Sequence, residues 1–279
     1  MPARHVQDLS SPSYEEFLKS CDTALIGIGS IETHGPHLSL CADPLVGDAL
    51  LARAVERIEG NVLILPTIPY AIVLQHGMTR NLHYPGIIGV RDDTLKAVLT
   101  DVARCLARDG IRKLILFNYH GGNSQLLPVI ACHIEAEVPE LHVFTHFAIE
   151  GMDIAGLFPD EVTGHGCAFE TSLDLALCPE HVWLDTDPPA NPPRSLRPDP
   201  PARLHHFPDW VYTTRGHGYI GDPKQASAEK GETMVEQALA VFVPTVETIA
   251  RLDVKELEPP EKPNAPFRRR QPRGRGIEV

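Results

Sequence analysis

The chain has 279 residues, of which 43% are hydrophobic and 22% charged, and its formal net charge is −12 at pH 7. This length and composition are typical of a globular protein with one elaborated α/β domain. The negative charge argues against broad contact with nucleic acid or an anionic membrane, and no apolar run approaches the roughly 20 residues of a spanning helix. The first residues carry no apolar signal segment and the cysteines show no CxxC pairing, so we expect reduced thiols and a cytoplasmic location.

Short apolar runs alternate with amphipathic segments along most of the chain. Strands are predicted at 23–29, 62–66, 112–118 and about 141–147, and helices at 46–58, 92–108, about 124–137 and 226–252. The strands are continuous apolar runs rather than alternating ones, which favours a parallel sheet covered on both faces. The sequence therefore predicts an α/β fold with a mainly parallel central sheet.

Two proline-rich stretches depart from this pattern. Prolines crowd residues 186–208, which we interpret as an extended insertion or a lid. Residues 253–279 are rich in proline and then in arginine, and we expect them to form a mobile or partner-packed tail. The predicted organisation is one catalytic domain over residues 1–252 that carries the insertion, followed by the tail.

Side chains typical of metal ligands follow two of the predicted strands. Glu32 and His34 come after the first strand, and Asp43 follows a Gly-Pro turn that would bring its carboxylate back beside them. His120 comes directly after the third strand, and Glu170 lies in a further segment rich in His and Gly. Carboxylates with imidazoles, without clustered thiols, indicate a catalytic zinc, manganese or iron site rather than a structural zinc cage.

This set of ligands exceeds what one ion with an open position needs. Three carboxylates and two imidazoles suit two ions that share a bridging carboxylate, as in two-metal hydrolases. Any one of these residues alone could be a core or capping residue, but the carboxyl ends of parallel strands meet at one edge of a sheet, so one shared site is expected. Gly121 and Gly122 would let the backbone approach an ion or substrate closely.

The chain resembles the creatininase (creatinine amidohydrolase) family over most of residues 20–250. The resemblance rests on GSIETHGPHLSLCAD at 29–43, HYPG at 83–86, NYHGGN at 118–123, GHGCAFETS at 164–172 and GYIGDPKQASAEKGE at 218–232. It implies a three-layer α/β/α domain and hydrolysis of C–N bonds in cyclic or linear amides with two divalent ions. It also implies a homo-oligomer, commonly a hexamer.

The resemblance also implies roles for the ligand-type residues. Glu32 and His120 would hold one ion together with Asp43. His34 and Glu170 would hold the second ion, and Asp43 would bridge the two. Zinc is the favoured metal, with manganese or iron as alternatives, and a hydroxide bound to both ions would be the nucleophile.

Other positions are implied to act on the substrate. His165 matches a histidine beside the site, a candidate proton shuttle to the leaving nitrogen, and with Glu170 it forms the predicted catalytic pair. The candidate substrate-contacting residues are Tyr119, Gly121, Gly122 and His83.

The chain departs from the creatinine-degrading members of the family in two respects. Those members carry Tyr-Glu where this chain has Gly121 and Gly122, and that Glu is a metal ligand there. Gly122 has no side chain that could bind a metal ion, so the role of metal ligand would fall to Glu170. Those members also line the substrate pocket with tryptophans, whereas Trp183 and Trp210 do not clearly match those positions. We therefore expect a family member that does not act on creatinine.

The sequence thus predicts a metal-dependent amidohydrolase that cleaves the C–N bond of a small amide, lactam, formamide or peptide-like substrate. Hydrolysis of a C–C bond in a cyclic diketone at the same site is one alternative, and a non-catalytic binding protein that retains the fold is another. No GxGxxG, Walker or GxSxG pattern indicates a nucleotide-binding domain or a serine hydrolase. The expected partners are a small-molecule substrate and further copies of the chain, with no nucleic acid and no membrane.

Overall fold

The computed structural model describes residues 3–73, 85–161, 163–192 and 217–257. Over these ranges five strands form one sheet in the order β1-β3-β2-β4-β5, and every described pair of neighbours is parallel. The strands are β1 (Arg4–His5), β2 (Thr23–Ile28), β3 (Val62–Ile68), β4 (Lys113–Asn118) and β5 (His142–Phe147). The predicted parallel sheet is confirmed.

Several sequence predictions fall outside the described residues. His83 lies outside them, as do residues 193–208 of the proline-rich insertion and residues 258–279 of the tail. The division into one domain with an insertion and a tail therefore stays a prediction. The six cysteines all lie in described ranges, and each is a free thiol, as expected.

The described helices cover both faces of the sheet. They are α1 (Ser11–Leu18), α2 (Ala42–Val55), α3 (Asp92–Arg108), α4 (Leu127–Glu137), α5 (Ile154–Leu157), α6 (Ala168–Leu177), α7 (Ala228–Arg251) and α8 (Val254–Leu257). The predicted bounds of α3 are confirmed, and Gly110, with φ of +102°, follows its end. Within the described part of the chain, no helix has the length and apolarity needed to cross a membrane.

Helix α2 differs from its predicted range of 46–58. It begins at Ala42, so Asp43 lies in its first turn rather than in a loop after the Gly-Pro turn. The apolar spacing used for the prediction locates the buried face of a helix, and it does not include the acidic Asp43, although Pro44 is buried in the same turn. Proline is tolerated in the first helical turn, where its missing N–H would have had no partner. The polar start of this helix is the part that carries a candidate ligand.

Two apolar clusters pack on opposite faces of the sheet. Along β2, Leu25 belongs to the cluster with α2, α6 and α7, whereas Ala24 and Ile26 belong to the cluster with α1, α3 and α4. Successive strand residues point to opposite faces, so the sheet is the middle of three layers. The three-layer α/β/α architecture is confirmed.

The carboxyl ends of β2 and β4 lie side by side. Ile28 at the end of β2 pairs with Asn118 at the end of β4. The chain leaves β2 for β3 on one side and later crosses to β4 on the other, which makes this edge a switch point of the sheet. The loops that follow the two strands therefore begin next to each other, as predicted.

Candidate metal centre

The loop between β2 and α2 holds the first two candidate ligands. Its ends are tied together, because the Glu32 amide donates to the Leu40 carbonyl at 2.9 Å. Between them Gly35 adopts φ of +84°, a left-handed conformation that favours glycine and turns the chain back. Glu32 and His34 are each only 1% exposed. The local fold thus buries a carboxylate and an imidazole at the sheet edge.

Asp43, in the first turn of α2, faces imidazoles from two other elements. Its Oδ1 atom lies 3.3 Å from His34 Nε2, in the loop after β2. Its Oδ2 atom lies 2.9 Å from His120 Nδ1, in the loop after β4. One carboxylate therefore presents a different oxygen to each of two histidines.

Glu32 lies at the centre of the same cluster. Its Oε1 atom is 3.1 Å from His120 Nδ1, 3.6 Å from His165 Nδ1 and 3.8 Å from His34 Nε2. These three imidazoles come from separate segments of the chain. The sequence prediction that the β2 and β4 motifs meet at one edge is confirmed.

Glu170 approaches the cluster from the first turn of α6. Its Oε2 atom accepts a hydrogen bond from the Gly166 amide at 2.5 Å and lies 3.9 Å from His34 Nε2. Its side chain is 26% exposed, compared with 10% for Asp43 and 1% for Glu32. Glu170 is therefore the most exposed of the three carboxylates.

Three imidazoles of the cluster share one pattern of contacts. Each places one ring nitrogen against a backbone carbonyl and directs the other at a carboxylate. The carbonyl partners are Glu32 for His34 (3.3 Å), Ile72 for His120 (3.3 Å) and Thr33 for His165. A carbonyl oxygen can only accept, so the nitrogen facing it carries the proton. Metal-binding histidines commonly use this outer contact to fix the tautomer and the ring orientation.

The charges of the cluster's side chains depend on one another. Burial disfavours a charged His34, but the nearby carboxylates, Asp43 first, outweigh it and raise its pKa to about 10. His120 likewise has its pKa raised well above the usual value, because Glu32 and Asp43 overcome its burial. Burial raises the pKa of Glu170 to about 8. Protonated imidazoles can thus offset part of the negative charge of these carboxylates, as a divalent cation can.

The donor atoms are close enough together to fit metal ions. Those of Glu32, Asp43 and His120 all lie within 4.8 Å of one another, and those of Glu32, His34 and His165 form a second such group. The first group matches the sequence prediction for one ion. The second brings in His165, which the sequence prediction treated as a proton shuttle. The structure therefore makes His165 a candidate ligand as well.

A cavity of about 400 Å³ opens beside the cluster. It is lined by the five predicted ligands, by His165, and by Tyr119, Gly121 and Gly122, three of the four candidate substrate-contacting residues. Trp183 is 45% exposed and is not among the lining residues, and Trp210 lies outside the described residues. The predicted lack of pocket tryptophans therefore holds for the part of the cavity that the structure describes.

Sequence reasoning missed much of the cavity wall. The apolar lining includes Phe147, Ile149, Met152, Ile154, Phe169 and Leu173, and Asp174 adds a carboxylate. Phe147 is the last residue of β5 and residues 148–149 follow it, so the carboxyl ends of three neighbouring strands contribute to one site. That position was the available signal, because the strand predicted at about 141–147 is the next one in the sequence after the strand that precedes His120.

Two neighbours of the cluster have structural contacts of their own. His37 Nε2 lies 3.1 Å from the Gly166 carbonyl and 3.2 Å from Thr171 Oγ1, linking the loop after β2 to the start of α6. Burial lowers the pKa of His37 to about 4, so this ring is neutral. Burial raises the pKa of the Cys167 thiol to about 12, and the thiol donates to the Gly164 carbonyl at 3.2 Å. Cys167 is therefore not a thiolate nucleophile.

The parallel sheet and the carboxylate–imidazole cluster at its carboxyl edge define a candidate metalloenzyme of the α/β class. The model of the creatininase family, described as creatinine amidohydrolase, matches residues 7–246. This chain belongs to the creatininase family, as the sequence motifs predicted.

Curated relatives include hydrolases with different named substrates. Creatinine amidohydrolase of Pseudomonas putida is 32% identical over 252 residues, covering 83% of this chain and 91% of the relative. A 3-dehydro-scyllo-inosose hydrolase of Thermotoga maritima is 27% identical, covering 92% and 87%. A mycofactocin precursor peptide peptidase of Mycolicibacterium smegmatis is 25% identical, covering 75% and 77%. The chain is therefore a creatininase-family hydrolase, and the family name alone does not define its substrate.

Solved structures of creatininase share the fold. A creatinine amidohydrolase structure superposes with a TM-score of 0.75 at 27% identity, covering 89% of this chain and 98% of that one. The manganese form of creatininase gives a TM-score of 0.74 at 27% identity, covering 89% and 99%. A mutant creatininase of zinc–zinc type gives 0.75 at 28% identity, covering 89% and 98%. Similar proteins thus bind divalent metal at this fold.

Proposed function

We propose that this chain is a metal-dependent amidohydrolase that cleaves the C–N bond of a small amide, lactam, formamide or peptide-like substrate. The observation that carries the proposal is the position of Asp43, whose two oxygens face His34 and His120. A carboxylate between two imidazoles from different elements is the arrangement expected of a ligand shared by two ions. Family membership and the manganese and zinc forms of its relatives support the same interpretation.

The proposed ligand sets follow from these contacts. Glu32 and His120 would hold one ion together with Asp43, and His34 and Glu170 would hold the other together with Asp43. The 3.1 Å separation of Glu32 and His120 supports the first set, and the 3.9 Å separation of His34 and Glu170 supports the second. When bound, divalent ions supply Lewis acidity toward a carbonyl oxygen and lower the pKa of water. Zinc is the proposed metal, with manganese or iron as alternatives.

His165 is proposed to move the proton that the leaving nitrogen needs. Its Nε2 atom is held by the Thr33 carbonyl, and its Nδ1 atom points into the cluster, 3.6 Å from Glu32 Oε1. The ring stacks on His34 with centroids 4.2 Å apart. A histidine fixed by these contacts has one nitrogen directed at the reacting region, as general acid catalysis requires.

The cavity wall is proposed to bind and enclose the substrate. Gly121 and Gly122 place backbone without side chains beside His120, and Tyr119 lies at the buried end of the same segment. The apolar residues that also line the cavity would exclude water from the region where the amide would lie. Exclusion of water strengthens the electrostatic interactions on which hydrolysis depends.

The screen that tests this function uses the metal-loaded full chain. Lactams, primary amides, formamides and dipeptides are incubated with the protein, and release of amine, ammonia or acid is measured with and without a chelator. We expect chelator-sensitive hydrolysis within at least one class, abolished in Asp43→Ala. Full metal content with no hydrolysis in any class would contradict the proposal.

Other sequence predictions remain proposals. We propose a homo-oligomer, a hexamer by family resemblance, and a cytoplasmic location. Neither the described residues nor the relatives favour C–C hydrolysis of a cyclic diketone or a non-catalytic role, so we propose neither.

A further inference from the structure

Asp174 is a carboxylate of the cavity that the proposed mechanism does not use. It lies on α6, one helical turn after Glu170, so both side chains lie on the same face of the helix. It lines the cavity and is only 1% exposed. Its side chain is therefore buried against the same space that the substrate would occupy.

Among the described residues, no lysine, arginine or histidine forms an ion pair with Asp174, and the nearby His34 imidazole offsets its charge only in part. The Cys178 thiol donates to Asp174 Oδ1 at 3.5 Å, and a thiol is a weak donor. Among the described residues that line the cavity there is no lysine and no arginine. A buried carboxylate without a directly paired cation is unfavourable, and burial raises the pKa of Asp174 to about 7 although His34 acts to lower it. A positively charged ligand group beside it would remove this cost.

The rest of the wall restricts what else the ligand can carry. Beyond the metal cluster and Asp174, most side chains around the cavity are apolar, including Phe147, Ile149, Met152, Ile154, Phe169 and Leu173, and the uncharged polar exceptions are Tyr119 and Thr163. A surface of this kind favours aliphatic or aromatic carbon and offers no cation for a phosphate or carboxylate. The ligand that fits both features has an apolar body and one basic nitrogen.

We propose that Asp174 binds a protonated amine of the substrate, so that the cavity selects small amides whose apolar chain carries an ammonium group. This proposal rests on the proposed function, because it takes the cavity beside the metal cluster as the substrate site. Asp174 is then a specificity-determining residue and takes no part in the hydrolytic step. A charge-assisted hydrogen bond from the ammonium to the carboxylate is the selective contact.

A pair of isosteric amides tests the proposal by binding. δ-Aminovaleramide ends in an ammonium group where hexanamide ends in a methyl group, and the two are otherwise of equal length. Their affinities for the metal-loaded full chain are measured by titration calorimetry. We expect the cationic amide to bind more tightly by about ten- to hundredfold, the range of a hydrogen bond to a charged group.

The Asp174→Asn variant keeps the shape of the side chain and removes its charge. We expect the preference for the cationic amide to fall to within about twofold in this variant, which corresponds to a negligible free-energy difference. Asp8→Asn removes the same charge from an exposed side chain and should keep the full preference. Metal content is measured for each variant. If Asp174 only balanced the charge of the metal ions, Asp174→Asn would change metal binding and leave the preference for the cationic amide unchanged.

Three results would overturn the proposal. These are equal affinities for the two amides in the unmodified chain, a preference that survives Asp174→Asn, and no detectable binding of either amide. The first and third do not depend on whether the variant folds. Failure of the proposed function would instead show as absent metal or absent hydrolysis across the substrate screen, so the two failures are distinguishable.

Discussion

A Cβ atom placed on Gly122 would collide with Nε2 of His120, whereas one placed on Gly121 would meet no atom within 4 Å. Nε2 is the nitrogen that contacts the Ile72 carbonyl, and Nδ1 is the one that faces Asp43. Glycine at position 122 therefore leaves room for the ring orientation that directs Nδ1 into the cluster. Gly122 therefore does more than leave out a ligand side chain, because its lack of a Cβ atom allows this orientation of the His120 ring.

We predict that Gly122→Ala weakens metal binding by about 10- to 100-fold, the usual effect of disturbing an outer contact of a ligating histidine. The added methyl group would push the His120 ring off the Ile72 carbonyl. Gly121→Ala is the matched control, since its Cβ has open space and affinity should be unchanged. Competition with a metal-binding dye measures both affinities. Equal affinities for the two variants would contradict the steric argument.

We predict that His165→Ala retains its metal ions but slows turnover of the best screened substrate by about 10²–10⁴-fold, the usual contribution of a general acid. Its donor atoms also lie within 4.8 Å of those of Glu32 and His34, so the structure allows a ligand role. Metal content of the purified variant separates the two roles. Loss of one ion with His165→Ala would reassign this residue from proton shuttle to ligand.

We predict that creatinine is not turned over at a rate comparable to that of the best amide in the screen. The Tyr-Glu pair of creatinine-degrading members is replaced by Gly121 and Gly122, which removes a ring from the pocket and a ligand from the metal site. An apolar cavity of about 400 Å³ would hold a small flat ring loosely. Creatinine turnover matching the best compound would refute this expectation.

The strands and the longest amphipathic helices could be predicted because their signals are local. Continuous apolar runs located β2 and β4, and the spacing of Leu95, Leu99 and Leu106 located α3. Motifs placed directly after parallel strands also predicted that Glu32 and His120 would meet, since the direction of each strand fixes where its loop begins.

The remaining features depend on contacts between distant segments. Asp174 lies in a helix whose apolar residues resemble an ordinary core pattern, and only its packing places it at the cavity. The ring of His165 is held by a contact between its Nε2 atom and the Thr33 carbonyl, 132 residues away in the sequence. Neither a helix period nor a motif encodes which way such side chains point. The sequence therefore predicted the ligand types more fully than the pocket around them.

We predict that Lys113→Met lowers the free energy of unfolding by about 2–4 kcal/mol, because removing a buried donor leaves its acceptors unsatisfied. Lys113 is 1% exposed, and its Nζ donates to the carbonyls of Ala250 and Leu252 at the end of α7, at 3.1 and 2.9 Å. Urea denaturation measures the change. Lys19→Met is the control, since its exposed pair with Glu16 contributes at most about 1 kcal/mol. Equal stability of both variants would disprove this role for Lys113.

Metal content per chain tests the central claim most directly, because Asp43 is proposed to bridge two ions. Elemental analysis of the metal-replete full chain should find two divalent ions per chain. Asp43→Ala should lose at least one of them together with hydrolytic activity, whereas Asp8→Ala, at an exposed position, should keep both. Trace metal in the unmodified chain, or full metal content and turnover in Asp43→Ala, would contradict the account.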